Sequence, residues 1–184
     1  MDQTVTRRKV SDARGDAPRA AAFRSLADEH LDSSYRLARA ILRDPAEAED
    51  ATHDAFVTAW QKWPTLRDPA LFDRWFRRIL VNTCRNRLKS ASRWQLRDIS
   101  RELTLAAADD DATRDERDAI GRGLATLGPD DRIILALRYE RDLTVDGIAD
   151  ALGIPSGTVK SRLHNALQRL QAAVATPEVV EVTR

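Results

Sequence analysis

The sequence predicts an all-α protein made of two small helical domains joined by a flexible linker. Apolar residues recur at helical spacing in two separate clusters, and no segment alternates apolar and polar residues long enough to indicate a half-buried strand. Charged residues make up 32% of the chain and aromatic residues only 5%, which is typical of small helical cores with solvated outer faces.

The pattern divides the 184 residues into five parts. Residues 1–19 are polar and rich in small side chains, so we expect a disordered extension. Residues 20–92 form the first helical domain. Residues 93–114 have weak periodicity and a run of three aspartates, which predicts an acidic linker. Residues 115–174 form the second helical domain, and residues 175–184 form a tail.

Composition argues against several classes of protein. A single cysteine, Cys84, excludes a disulfide framework, and the three histidines are too scattered for a zinc site. No apolar run approaches the roughly 18 residues that span a bilayer, and no secretory signal is evident. We expect a cytoplasmic protein without membrane insertion and predict no cofactor.

The net charge of +1 conceals strongly charged blocks. Residues 44–61 carry five acids and no lysine or arginine, whereas residues 62–93 carry nine bases and two acids, a net charge of +7. Residues 157–171 carry three bases and no acid. This alternation indicates separate surfaces for separate partners, and the basic surfaces are candidates for binding nucleic acid.

The acidic segment DPAEAEDATHDAFVTAWQKW begins with helix-start signals. Asp44 is a plausible N-cap, Pro45 takes the first helical position, and Glu47 follows three residues after the cap. On this helix one stripe is polar and another apolar: Glu47, Asp50, Asp54 and Gln61 against Ala48, Ala51, Ala55, Ala59 and Trp63. The polar stripe could be a solvated face, a metal or catalytic site, or a docking face for a basic partner. We favour docking, because a hard-cation site needs ligands from several elements.

The basic segment PALFDRWFRRILVNTCRNRLKS predicts a second amphipathic helix. Its apolar positions are Phe72, Trp75, Phe76, Ile79, Leu80, Cys84 and Leu88, and its opposite stripe is Arg74, Arg78, Asn82, Arg85 and Lys89. Four cations on one face repel one another, which suggests that a polyanion lies against them. The Asn82 amide could read a base edge within that stripe. The nearby Trp60, Trp63 and Trp75 could be core residues or platforms for unpaired bases.

Residues 143–170 have the layout of a helix-turn-helix. Thr144 can cap a short helix that ends at Gly153, and a turn through Pro155 leads into an acid-free helix. That helix points donors and amphoteric groups outward: Lys160, Ser161, His164, Asn165 and Gln168. Such a stripe suits base edges and phosphates, although an ordinary helical hairpin with a solvated face is the alternative.

Two stretches resemble a known family. HLDSSYRLARAILRDPAEAEDATHDAFVTAWQKW with FDRWFRRILVNTCRNRL is similar to region 2 of bacterial extracytoplasmic-function (group 4) sigma factors of the sigma-70 family. LATLGPDDRIILALRYERDLTVDGIADALGIPSGTVKSRLHNAL resembles region 4 of the same family. Because both motifs occur in the family's order, the match is far more specific than a lone helix-turn-helix.

The resemblance implies a role for each surface. Core RNA polymerase, through the clamp helices of its largest subunit, would be bound by Asp50, Asp54, Phe56, Trp60 and Gln61. The minus-ten promoter element would be bound by Leu66, Arg67, Arg78, Asn82 and Arg85. The minus-thirty-five element would be bound by Lys160, Ser161, Arg162, His164 and Asn165. The resemblance also implies contact with the polymerase flap, and an anti-sigma factor that binds the otherwise monomeric chain one-to-one.

We therefore expect a non-catalytic sigma factor that directs promoter recognition and transcription initiation, for a stress or envelope-signal regulon. Two alternatives are a stand-alone helix-turn-helix regulator that binds an operator and a metal-dependent nucleic-acid enzyme that uses Glu47, Asp50 and Asp54. The chain departs from many relatives in three places. Asn165 and Leu167 replace two cations, and Gly147 stands where relatives commonly carry glutamate.

Overall fold

The computed structural model of the chain describes residues 4–95 and 114–175, with the side chains of residues 17–90 and 119–175. All regular structure in these ranges is helical, which confirms the predicted all-α class. The α-helices in chain order are α1 (Thr4–Leu42), α2 (Pro45–Lys62), α3 (Phe72–Gln95), α4 (Arg114–Thr126), α5 (Pro129–Tyr139), α6 (Val145–Leu152) and α7 (Ser156–Ala175). The predicted linker and C-terminal tail lie almost entirely outside the described residues.

Helices α1, α2 and α3 pack together into one unit, the N-terminal lobe. The face of α2 that enters its core consists of fully buried alanines: Ala48, Ala51, Ala55 and Ala59. Such small side chains let helices approach closely. Phe72 is buried beside them, stacked on Phe76 with ring centroids 5.4 Å apart, and Trp63 meets Phe72 edge-on at 5.9 Å. Trp63 is thus a packing residue of this lobe.

Helix α1 is longer than the sequence predicts. We expected residues 1–19 to be disordered, but the structure includes residues 4–19 in α1. Once the segment after residue 20 is helical, each further residue extends an existing helix and avoids the cost of nucleation. Pro18 lies inside the helix without ending it.

The start signals of α2 work as predicted. The Asp44 carboxylate accepts a hydrogen bond from the backbone N–H of Glu47 at 2.9 Å, and Pro45 takes the first helical position. Arg43, between the two helices, has a left-handed backbone with φ of 65°. This residue turns the chain sharply, so α2 folds back onto α1.

Helices α4 to α7 form the C-terminal lobe, and α6 and α7 make the predicted helix-turn-helix. Thr144 caps α6 by accepting from the N–H of Gly147 at 3.1 Å, and Gly153 ends α6 with a φ of +66° that favours glycine. Helix α7 begins at Ser156, whose hydroxyl donates to the Asp146 carboxylate at 2.6 Å. This bond ties the start of α7 to α6.

The two lobes pack against each other. Helices α5 and α6 lie against α3, and α5 also contacts α1. This arrangement turns one side of α3 toward the C-terminal lobe. Among the described residues, no helix is both long and apolar enough to cross a membrane.

Candidate functional site

Three carboxylates of α2 gather on one side of the N-terminal lobe. Arg87 of α3 donates to Glu47 at 2.7 Å and to Asp54 at 2.6 Å, and its guanidinium lies 3.7 Å from Asp50. We call Glu47, Asp50, Asp54 and Gln61 the acidic face of α2. Each of the three carboxylate side chains is more than half exposed, whereas Arg87 is three-quarters buried. Arg87 therefore orients the carboxylates and leaves them accessible to a basic partner.

Two aromatic residues with predicted core-binding roles have different surroundings. Trp60 lies beside the acidic face with 36% of its surface exposed, and its ring meets Phe23 edge-on at 5.2 Å. Phe56 is half-buried and stacks on Phe76 at 4.3 Å, so its ring mainly supports the lobe's packing. Val57, which is not among the predicted core-binding residues, is 41% exposed. The exposed large apolar side chains of α2 are therefore Val57 and Trp60.

The connection between α2 and α3 presents one of its two predicted DNA-binding residues to solvent. Arg67 is exposed, whereas Leu66 is half-buried and packs against the hydrophobic core. The Asp68 carboxylate accepts a hydrogen bond from the N–H of Ala70 at 3.0 Å and so fixes the turn. The Arg67 side chain is therefore accessible to a DNA phosphate, whereas Leu66 fixes the connection to the hydrophobic core.

The predicted cationic stripe lies on the side of α3 that meets the C-terminal lobe. We call this stripe the basic face of α3: Arg74, Arg78, Asn82, Arg85 and Lys89. Arg78 donates to the Asp150 carboxylate at 2.6 Å and to its backbone carbonyl at 2.9 Å. Arg74 binds the same carboxylate, and Arg85 donates to Asp130 at 3.1 Å. Acids of α5 and α6 thus bind three arginines of the basic face.

Asn82 lies in the middle of the basic face and is exposed. Its side-chain oxygen accepts a hydrogen bond from Arg85 at 3.3 Å. A side-chain amide has two donors and two lone pairs, so donors and a lone pair remain for a base edge. The predicted base-reading amide is accessible and held beside cations that could bind the adjoining phosphates.

The arginines around Asp150 favour its ionised form. The hydrogen bond from Arg74 is the largest effect and lowers the pKa of the Asp150 carboxyl below its ordinary value. Burial acts in the opposite direction, and the charges of Arg78 and Arg74 add to the lowering. Since the pKa is lowered, this contact is fully formed at neutral pH. It weakens only as acid protonates Asp150.

The recognition face of α7 consists of the residues predicted for the minus-thirty-five element: Lys160, Ser161, Arg162, His164 and Asn165. All are exposed except Arg162, which is half-buried. The Ser161 hydroxyl donates to the carbonyl of Thr158 at 3.1 Å. Leu167 is half-buried against the core, so only Asn165 of the two substituted positions changes the exposed surface.

Three residues outside the predicted sets complete these surfaces: Arg87, Asp130 and Asp150. The sequence carries no local signal for them, because each acts on a helix far away in the chain. The sequence indicates such partners only in general, because the positive charge of residues 62–93 favours nearby acidic residues. The carboxylates of the acidic face converge on Arg87, and no group of three or more His, Cys, Asp or Glu in the described part of the chain could hold a metal ion.

Both lobes match known sequence families. Sigma-70 region 2 matches residues 26–94, and sigma-70 region 4 matches residues 123–172. RNA polymerase sigma-E factor of Streptomyces coelicolor is 33% identical over 142 residues, which cover 76% of this chain and 78% of the relative. The extracytoplasmic-function (ECF) RNA polymerase sigma factor SigL of Mycobacterium tuberculosis is 32% identical over 162 residues, covering 84% of this chain and 90% of the relative.

Solved structures share the fold across both lobes. The sigma factor RpoE in complex with the anti-sigma factor NepR from Bartonella quintana has a TM-score of 0.64 at 21% identity, covering 84% of this chain and 98% of that one. CnrH in complex with the cytosolic domain of CnrY has a TM-score of 0.58 at 24% identity, covering 88% and 92%. With both family regions in order on this fold, the chain belongs to the ECF sigma factors of the sigma-70 family.

Proposed function

We propose that this sigma factor uses three separate faces to bind three different partners. The acidic face of α2, with Val57 and Trp60, docks on basic residues of core RNA polymerase. The basic face of α3, with Arg67, binds the minus-ten element and captures an unstacked base at Asn82. The recognition face of α7 enters the major groove of the minus-thirty-five element. The chain has no catalytic role of its own and acts in the cytoplasm, where promoter DNA lies.

The observation that supports this proposal most strongly is the arrangement of α3. An exposed amide, Asn82, is flanked by Arg78 one turn before it and by Arg85 one turn after it. Extruding a base costs a few kcal/mol of stacking energy, so a pocket needs both hydrogen bonds to the base edge and cations for the backbone. The basic face supplies both kinds of group on one rigid helix.

The role of Asn82 is tested by transcription with core polymerase, this protein and a pool of genomic DNA fragments, with RNA 5′ ends sequenced. We expect start sites that depend on the added protein. Asn82→Ala should reduce these transcripts about ten- to a hundredfold, because one good base contact is worth about 1–3 kcal/mol. Gln171→Ala, an exposed amide at the far end of α7, should leave them unchanged.

Two outcomes of the transcription assay would contradict different parts of the proposal. Transcripts that appear equally without the protein would overturn the proposal that these faces recognise promoters. Equal transcription by Asn82→Ala and the wild type would instead remove only the assignment of Asn82.

Docking on the polymerase is tested separately by measuring binding to core enzyme. Asp54→Asn should weaken binding, whereas Glu49→Gln removes the same charge from another side of α2 and should not. Equal effects of the two variants would mean that only net charge matters, and the acidic face would lose its assigned role.

We also propose that an anti-sigma factor holds the free chain in a one-to-one complex. Among the solved structures with this fold, RpoE is in complex with the anti-sigma factor NepR, and CnrH is in complex with the cytosolic domain of CnrY. An inhibitor that covers the faces named above would prevent promoter binding until it is released.

A further inference from the structure

The N-terminal part of α1 contacts the proposed docking surface of α2. The guanidinium of Arg19 lies over the indole ring of Trp60, with its central carbon 5.0 Å from the ring centroid. About one turn further along α1, Phe23 meets the same indole edge-on, with ring centroids 5.2 Å apart. Trp60 is therefore in contact with α1 through both a cation and an aromatic ring.

The cation comes from outside the part of the chain that matches the family. The match to sigma-70 region 2 begins at residue 26, so it includes Trp60 but neither Arg19 nor Phe23. The matched region thus provides the indole, and the segment before it provides the guanidinium. This segment gives Trp60 a neighbour that region 2 itself does not contain.

The surroundings of Trp60 favour a cation from a basic partner as well. A cation is attracted to the electron-rich face of an aromatic ring, and among side chains the indole of tryptophan attracts it best. Trp60 keeps 36% of its surface exposed and lies beside the acidic face of α2, whose carboxylates attract basic residues. Arg19 is half-buried against the ring, so its guanidinium takes space that a second cation would need.

We propose that Trp60 is a binding site for a lysine or arginine side chain of core RNA polymerase and that Arg19 occupies this site in the free chain. A polymerase cation binds the indole only after Arg19 has left it, so Arg19 lowers the affinity for core enzyme. The inference rests on the proposed docking of the acidic face, and it adds the chemical group that Trp60 binds.

The test measures binding of the full chain to core polymerase. Arg19→Ala should bind about two- to fivefold more tightly than the wild type, because an exposed cation–π contact contributes about that factor. Alanine favours the helical backbone of α1, so the variant should keep its fold. Arg19→Lys retains a cation and should stay near the wild type. The matched control is Arg24→Ala, which removes an exposed arginine from the same helix and should not change binding.

A second measurement examines the free chain without polymerase. Acrylamide quenching of tryptophan fluorescence reports how accessible each indole is, and comparison with Trp60→Phe isolates the contribution of Trp60. Arg19→Ala should increase the quenching of Trp60, whereas Arg24→Ala should leave it unchanged. Unchanged quenching in Arg19→Ala would show that Arg19 does not occupy the ring in solution.

Two results of the binding measurement would overturn the inference. Arg19→Ala could bind core enzyme no more tightly than the wild type, which would exclude competition for Trp60. Arg24→Ala could strengthen binding as much as Arg19→Ala, which would reduce the effect to net charge. Failure of the docking proposal is recognised separately, because Asp54→Asn would then bind core enzyme as well as the wild type does.

Discussion

At the residue scale, single side chains have roles that depend on what surrounds them. Cys84 is fully buried in the N-terminal lobe, and burial raises the pKa of its thiol to about 12, against a smaller opposing effect of Arg87. Such a thiol stays protonated and behaves as a small apolar group. The same Arg87 orients the carboxylates of the acidic face, so one guanidinium joins the core of the lobe to its proposed docking surface.

Cys84 should make the N-terminal lobe less stable at alkaline pH. The thiol ionises near pH 9 in the unfolded chain but only near pH 12 in the folded chain, so folding should lose stability as pH rises between these values. Denaturant unfolding of the wild type and of Cys84→Ala across this range measures the effect. The variant should be less stable than the wild type at neutral pH and lose less stability as the pH rises. Parallel declines would mean that Cys84 contributes nothing to the pH dependence.

At the element scale, α3 has three sides with different surroundings. One side is apolar and builds the core, a second carries Arg87 toward α2, and a third forms the basic face. Helix α6 is equally divided, since its buried residues hold it against its own lobe while Asp150 reaches α3. Short, well-capped helices of this kind position a side chain reliably, which makes their caps worth testing.

Gly147, inside α6, and Gly153, directly after its end, should respond oppositely to substitution by alanine. A Cβ at Gly147 would make only ordinary contacts, 3.4 Å from the Thr144 hydroxyl and 3.6 Å from Leu143 Cβ, so Gly147→Ala should stabilise the chain by about 0.5–1 kcal/mol. Gly153 has a φ of +66°, so Gly153→Ala should destabilise by about 1–2 kcal/mol. Denaturant unfolding of the two variants checks both signs. A destabilised Gly147→Ala would show that the first turn of α6 has no room for a methyl group.

At the scale of the whole molecule, the near-neutral net charge is the sum of faces that neutralise one another. The basic face of α3 would repel itself if it stood alone, and the acids of α5 and α6 relieve that repulsion when the lobes close. Opposite charges therefore stabilise the packing of the two lobes against each other.

Added salt should separate the two lobes of the free chain. Because exposed ion pairs are screened within about 3 Å at 1 M ionic strength, small-angle X-ray scattering should show the radius of gyration of the wild type rising with salt. The double variant Asp130→Asn/Asp150→Asn should be expanded already at low salt and change little. A wild-type radius that is insensitive to salt would show that apolar contacts between the lobes, and not the ion pairs, hold them together.

The sequence by itself determined the all-α class, the helix-turn-helix and the chemistry of the three faces. These features depend on local periodicity, caps such as Asp44 and Thr144, and charge along one helix, all of which are encoded in neighbouring residues. Tertiary structure alone decided that Arg87 binds the acidic face, that Phe56 packs inward and that Asp150 binds arginines of the basic face. Such contacts join residues 33 and 72 positions apart, and no local propensity specifies which distant helix will supply the partner.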